Sequence, residues 1–218
     1  MLKNKTSYRH FYIDNQEKYY WLGFLFADGG VMNKYALSVG LSIVDKDHLE
    51  NFRNFCQCHN EVKFQQDKLG YNSCRLSIYG KDLIKYLEQY GIIKQKSKFG
   101  RPQNIPEKFL GAWLLGLFDG DGSLFQTNRG DWIFSQVGNY ETMLFVQKKL
   151  KEVYDLELNI CKNKSIFGLR LGEYDSYCLL ARLYKNKEYM CLERKYKKFL
   201  LFKDKIENKY KSLINLYK

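Results

Sequence analysis

The most constraining feature of this 218-residue chain is that it repeats itself. Trp21-Leu22-Gly23-Phe24-Leu25-Phe26-Ala27-Asp28-Gly29 and Leu114-Leu115-Gly116-Leu117-Phe118-Asp119-Gly120-Asp121-Gly122 share one order: apolar, glycine, three mostly apolar residues, small, aspartate, glycine. The second copy follows the first at an offset of 93 residues, from Asp28 to Asp121. Each half alone is near the lower limit for burying its own core, so two half-size units sharing an interface are the natural solution.

Each motif reads as a helix ending at its aspartate. Asp14 suits the N-cap of the first, with Glu17 three residues on completing a capping box. Pro106 suits the first position of the second, with Glu107 in the first turn. Gly29 and Gly122 are expected to end the helices in the left-handed conformation. Downstream of Gly29, strand-like stretches run over Tyr35–Val44, Glu61–Gln66 and Ser73–Tyr79, with helical spacing over Lys46–Cys56 and from Lys81 to Tyr90. The second copy offers strands at Ser123–Thr127, Asp131–Val137, Leu156–Lys162 and Ile166–Leu171, and helices at Tyr140–Val153 and Asp175–Tyr184. A basic helix closes the chain. The order αββαββα thus occurs twice, an α+β arrangement with an N-terminal half at 1–93, a linker at 94–104 carrying Gly100 and Pro102, and a C-terminal half at 105–218.

Gly23 and Ala27 lie on one helix face, as do Gly116 and Gly120, because residues four apart stack. Helices with small residues on facing sides can touch backbone to backbone, which would set Asp28 and Asp121 side by side. Two carboxylates at two helix C-termini repel one another and the helix dipoles, so such a place favours cations. Hard oxygen ligands suit Mg²⁺, which binds through one or two carboxylates together with substrate phosphate. The phosphodiester chemistry this allows requires no histidine, and the chain has only His10, His48 and His59.

The net charge of +12 points to a polyanion, with nucleic acid ahead of an anionic membrane. No apolar run is long enough to span a bilayer, and the start MLKNKTSYRH lacks an apolar core, so an intracellular protein is expected. The six cysteines have no disulfide-like spacing and read as reduced thiols. Cys56, Cys58, His59 and Cys74 lack the second CxxC of a zinc site.

At these residues the sequence resembles the LAGLIDADG homing endonuclease family in its monomeric two-motif form, from about Tyr8 to Leu216. The resemblance implies pseudo-twofold symmetry, two saddle-like antiparallel four-stranded sheets over double-stranded DNA, and a central two-helix interface. It implies cleavage of both strands across the minor groove of a long asymmetric target, leaving 3′ overhangs. The metal ligands it implies are Asp28 and Asp121 with the carbonyls of Ala27 and Gly120, holding Mg²⁺, for which Mn²⁺ or Ca²⁺ can substitute in binding. The family's earlier acid is Asp119 in the second motif and Phe26 in the first. Gln136 matches a water-positioning residue, whose place in the first half falls at Ile43 or Ser42. Lys96 and Lys195 match basic residues near the scissile phosphates.

Base contacts are expected from alternating strand residues: Lys63, Gln65, Asn72 and Arg75 in the first half, and Gln126, Asn128, Arg129, Lys162, Lys164 and Arg170 in the second. Arg75 and Arg170, each followed by leucine, read as corresponding positions. Two sheets of seven-residue strands cover about 45 Å, roughly 14 base pairs. The same scaffold serves intron maturases, with intron RNA as the partner, and regulators that no longer cut. Histidine-dependent HNH chemistry does not fit, and Glu193-Arg194-Lys195 has no partner aspartate hairpin.

Overall fold

The structure, a computed structural model, describes residues 8–186 and 190–216. The first copy comprises α1 (Gln16–Asp28), β1 (Gly29–Asn33), β2 (Ala36–Ser42), α2 (Lys46–Phe55), β3 (Lys63–Gln66), β4 (Asn72–Tyr79) and α3 (Lys81–Glu88). A single helical turn, α4 (Lys96–Phe99), precedes the second copy. That copy comprises α5 (Leu110–Asp121), β5 (Gly122–Gln126), β6 (Trp132–Gly138), α6 (Tyr140–Tyr154), β7 (Cys161–Asn163), β8 (Ile166–Leu171) and α7 (Glu173–Leu183). A long helix, α8 (Glu193–Leu216), follows. The αββαββα order is therefore present twice. Each copy holds one antiparallel four-stranded sheet, ordered β1-β2-β4-β3 and β5-β6-β8-β7.

The chain divides into two compact units at the Asp121/Gly122 bond, so α1 and α5 both belong to the first. In that unit α2 and α3 cover one face of the sheet, burying Leu37, Val39, Cys74, Leu76 and Ile78 against Leu49, Phe52, Leu83 and Leu87. In the second, α6 and α7 bury Leu124, Phe134, Leu169 and Leu171 against Met143, Val146, Leu179 and Leu180. The opposite face of each sheet is open, which produces the alternation along β4, where Arg75 is exposed between buried Cys74 and Leu76.

Several local expectations are corrected. The N-cap of α1 is Asn15, whose side chain accepts from the Lys18 amide; Asp14 instead pairs with Lys18 Nζ at 2.6 Å. Pro106 precedes a short 3-10 turn over Glu107–Phe109, and α5 starts at Leu110. Gly29 is extended (φ −72°, ψ 136°) and opens β1, and Gly122 is likewise not at positive φ. What Gly29 needs is room: a Cβ there would lie 2.6 Å from the Leu25 carbonyl oxygen. β1, Gly29-Gly30-Val31-Met32-Asn33, lacks a clear alternation and so has no strand signature in the sequence.

Candidate active site

The site is built by the contact between α1 and α5. A Cβ on Gly23 would collide with the Trp113 carbonyl, and one on Gly116 with the Tyr20 carbonyl. Tyr20 and Trp113 are themselves one repeat apart, so the two collisions are the same contact made reciprocally. One turn further on, Gly120 lies directly against Ala27, and its Cβ position is 3.4 Å from Asp28 Oδ2. The small residues thus do what their spacing implies: the backbones touch, and the helices end together at Asp28 and Asp121.

Asp28 is half-buried and Asp121 is exposed. Lys96, at the start of α4, reaches into the same place. Its Nζ donates to the Ala27 carbonyl at 2.6 Å, and Asp121 and Asp28 are the charges that act on it. Burial pushes the Lys96 pKa below its usual range, against the pull of the two carboxylates. Five of the expected residues, Asp28, Asp121, Ala27, Gly120 and Lys96, therefore converge within the first unit.

The donor set fits a hard divalent cation. It offers carboxylate and carbonyl oxygens, and the Ala27 carbonyl already accepts from one positive group, the Lys96 ammonium. Among the described residues no group of three or more His, Cys, Asp or Glu could hold a metal. A cation here would draw its remaining ligands from backbone, water or phosphate, as Mg²⁺ does and structural zinc does not. Cys56, Cys58 and Cys74 are buried free thiols, and burial raises the Cys56 pKa well above its usual value. Among the described residues no helix is long and apolar enough to cross a membrane.

In the second unit, Gln136 and Lys195 both lie at Gly122, the residue after Asp121. Gln136 is 1% exposed and pairs with Gly122 in the β5–β6 ladder. Lys195 is buried, and its Nζ donates to the Gly122 carbonyl at 2.6 Å. Lys96 engages the residue before its aspartate, and Lys195 engages the residue after its own. The β1–β2 ladder pairs Gly29 with Val39, so the counterpart of Gln136 is Val39 rather than Ile43 or Ser42.

The earlier acid has a partner that spacing alone did not reveal. Asp119 is 1% exposed and accepts from Tyr20 Oη at 2.8 Å; the same hydroxyl is 2.9 Å from His48 Nε2 on α2. Phe26 takes the matching place in the first motif and packs its ring on Trp113, with centroids 5.7 Å apart. One symmetric pair of slots is filled by acid and phenol on one side and by two apolar rings on the other.

Register sorts the expected base contacts. Lys63 and Gln65 pair with Arg75 and Ser73, which puts Lys63, Gln65 and Arg75 on the open face of the first sheet. Arg170 pairs with Ser135 on the open face of the second. Asn72 shares the side of Cys74, Gln126 that of Leu124, and Lys162 that of Leu169, so these three lie on the helix-covered side of their sheets. Gln126 donates to the Gly130 carbonyl. Asn128 and Arg129 occupy the β5–β6 turn, and Lys164 the β7–β8 turn at φ 53°. Arg75 and Arg170 do not correspond. Leu76 and Leu169 sit opposite Val39 and Gln136, which leaves Arg75 before its leucine and Arg170 after, two residues apart on the same face.

No family model and no curated protein matches the sequence. Solved structures do match its backbone. The LAGLIDADG homing endonuclease I-GzeII, solved in complex with its DNA target, is similar at 17% identity and a TM-score of 0.63, over 91% of this chain and 92% of that one. The LAGLIDADG meganuclease I-AabMI, bound to uncleaved DNA, is similar at 14% identity and 0.61, over the same shares. Full-length DUF199/WhiA from Thermatoga maritima is similar at 17% identity and 0.57, over 94% of this chain and 68% of that one. With its doubled αββαββα order and two antiparallel four-stranded sheets, the chain has the fold of the LAGLIDADG proteins.

Proposed function

We propose that this chain is a site-specific endonuclease that hydrolyses both strands of double-stranded DNA, using divalent metal held by Asp28 and Asp121. The observation that carries this reading is the convergence of two helix-end aspartates and the Lys96 ammonium on one spot, enforced by glycines that admit no side chain. A protein of net charge +12 suits a phosphodiester substrate, and solved structures of the same fold hold DNA.

Asp28 and Asp121 would hold the cation with carbonyls of Ala27 and Gly120, and Mg²⁺ bound there supplies an acidified water and neutralises charge on the phosphate. Lys96 keeps a positive charge beside the carboxylates and, by moving from the Ala27 carbonyl, can free that oxygen as a ligand. Lys195 fixes the Gly122 carbonyl and with it the start of β5. Gln136 can hold a water by hydrogen bonds where Val39 cannot, so water is positioned unequally in the two halves.

The test is strand-resolved cleavage of a duplex selected from a random library with Mg²⁺. Asp28→Asn and Asp121→Asn should each lower cutting at least 100-fold while leaving affinity in Ca²⁺ within a fewfold. Full cutting by either variant would overturn the mechanism. The fold is shared with DUF199/WhiA, which is not named as an endonuclease, and this suits a second reading, a DNA-binding protein that does not cut. Under it the chain selects duplexes but leaves both strands intact in Mg²⁺ and Mn²⁺.

A further inference from the structure

The two sheets differ in the chemistry of their open faces. In the first, the strand residues on that face include Lys63, Gln65, Ser73, Arg75 and Ser77, with Tyr79 at the end of β4, a surface of mainly hydrogen-bonding groups. In the second, ladder pairing puts Phe125 beside Ile133, Ser123 beside Ser135, Val137 beside Gly168, and Ile166 beside Asn163, with Arg170 paired to Ser135. Phe125, Ile133 and Val137 are half-buried, and Ile166 is 45% exposed. They form an apolar stripe on the side of the sheet that its helices do not cover, divided by one polar row, Ser123, Ser135 and the exposed Arg170.

Apolar side chains gathered on one open sheet face mark a binding surface more readily than scattered ones do. Its surroundings favour a nucleic-acid duplex over a protein. Arg129 and Lys164 stand exposed in the turns at its ends, so phosphates would meet positive charge where the stripe stops. In the major groove, the one apolar group that bases present is the C5-methyl of thymine. We propose that the second sheet reads its half of the target largely through thymine methyls seated on Phe125, Ile133, Val137 and Ile166, with Arg170 reading a single guanine. The first sheet reads the other half by hydrogen bonds, with Arg75 as its guanine contact.

This inference rests on the DNA-binding reading, and its test separates the two. Duplexes are selected by the full chain in Ca²⁺, then rebuilt with uracil in place of thymine in one half at a time. Uracil keeps every hydrogen bond and lacks only the methyl. The selected site should contain one thymine-rich half in which each contacted thymine loses about fourfold in affinity on exchange for uracil. The other half should be insensitive. Ile133→Thr and Val137→Thr together should erase the uracil effect with no loss of melting temperature, and Arg75→Ala should relax selectivity only in the other half. A selected duplex whose two halves both ignore uracil would overturn the inference and leave the DNA-binding reading standing. Failure to select any duplex would overturn both. Concentration-dependent dimers in sedimentation, abolished by Ile166→Asp, would also overturn it by assigning the stripe to self-association.

Discussion

Substituting Gly23 by alanine should destabilise the protein although alanine is the better helix former. The added Cβ would meet the Trp113 carbonyl group, 2.8 Å from its carbon, and the Leu117 amide nitrogen at 3.0 Å. The nearest obstacle is the Trp113 carbonyl oxygen, and non-bonded heavy atoms need more than about 3 Å, so α1 and α5 must part by roughly 1 Å. The obstacle is backbone, which has no rotamer to change, so the penalty belongs at the upper end of overpacking, about 3 kcal/mol. Alanine returns about 1 kcal/mol of helix propensity. A net loss of about 2 kcal/mol lowers the melting temperature by roughly 4–8 °C in a chain of this length. Circular dichroism melts read this directly, with Gly30→Ala as control, because a Cβ there would meet nothing nearer than 3.6 Å. Gly116→Ala should match Gly23→Ala, since its Cβ would lie 2.7 Å from the Phe24 nitrogen. Melting within 1 °C of the parent for either variant would refute close backbone contact as the feature that sets the two aspartates together.

Three further expectations concern the asymmetry of the halves and its supports. Tyr20→Phe removes the phenol that donates to buried Asp119 and should cost about 1–3 kcal/mol in chemical denaturation; no change would dismiss the buried network. Phe26→Asp puts a carboxylate against Trp113 and should destabilise by about 3 kcal/mol or more, with Trp113→Tyr recovering part of the loss by rebuilding the arrangement of the other slot; a double-mutant cycle without coupling would contradict this. Burial pushes the Glu173 carboxyl pKa up, but Lys209 at 2.5 Å and the Trp132 amide outweigh it, and the folded value lies below the ordinary 4.5. Its stabilising contribution is present above pH 4.5 and lost as pH falls through the folded value, so Glu173→Gln should flatten the acid limb of the stability profile, and an unchanged limb would exclude it.

The duplication, the helix ends and the small-residue faces were legible because they depend on spacing along one element. Positions that depend on register were not. Asn72, Gln126 and Lys162 looked like open-face residues, yet a shift of one residue moves a side chain to the other face of a strand. Only the pairing of Gly29 identifies Val39 as the counterpart of Gln136, and β1 carries no alternation that would announce that pairing. Asp14 was a sound N-cap by residue type; its engagement with Lys18, which lies over the rings of Tyr19, Tyr86 and Tyr90, left that role to Asn15. The contact of Lys96 with the Ala27 carbonyl spans 69 residues and has no local signature.

Manganese titration of the full chain, followed by electron paramagnetic resonance, tests most directly whether the two helix ends make one metal site. If Asp28 and Asp121 share the ion, each asparagine variant should weaken binding at least tenfold, and the double variant should be little worse than either single one. Parent-like affinity in one single variant, or losses that simply add, would contradict a shared site.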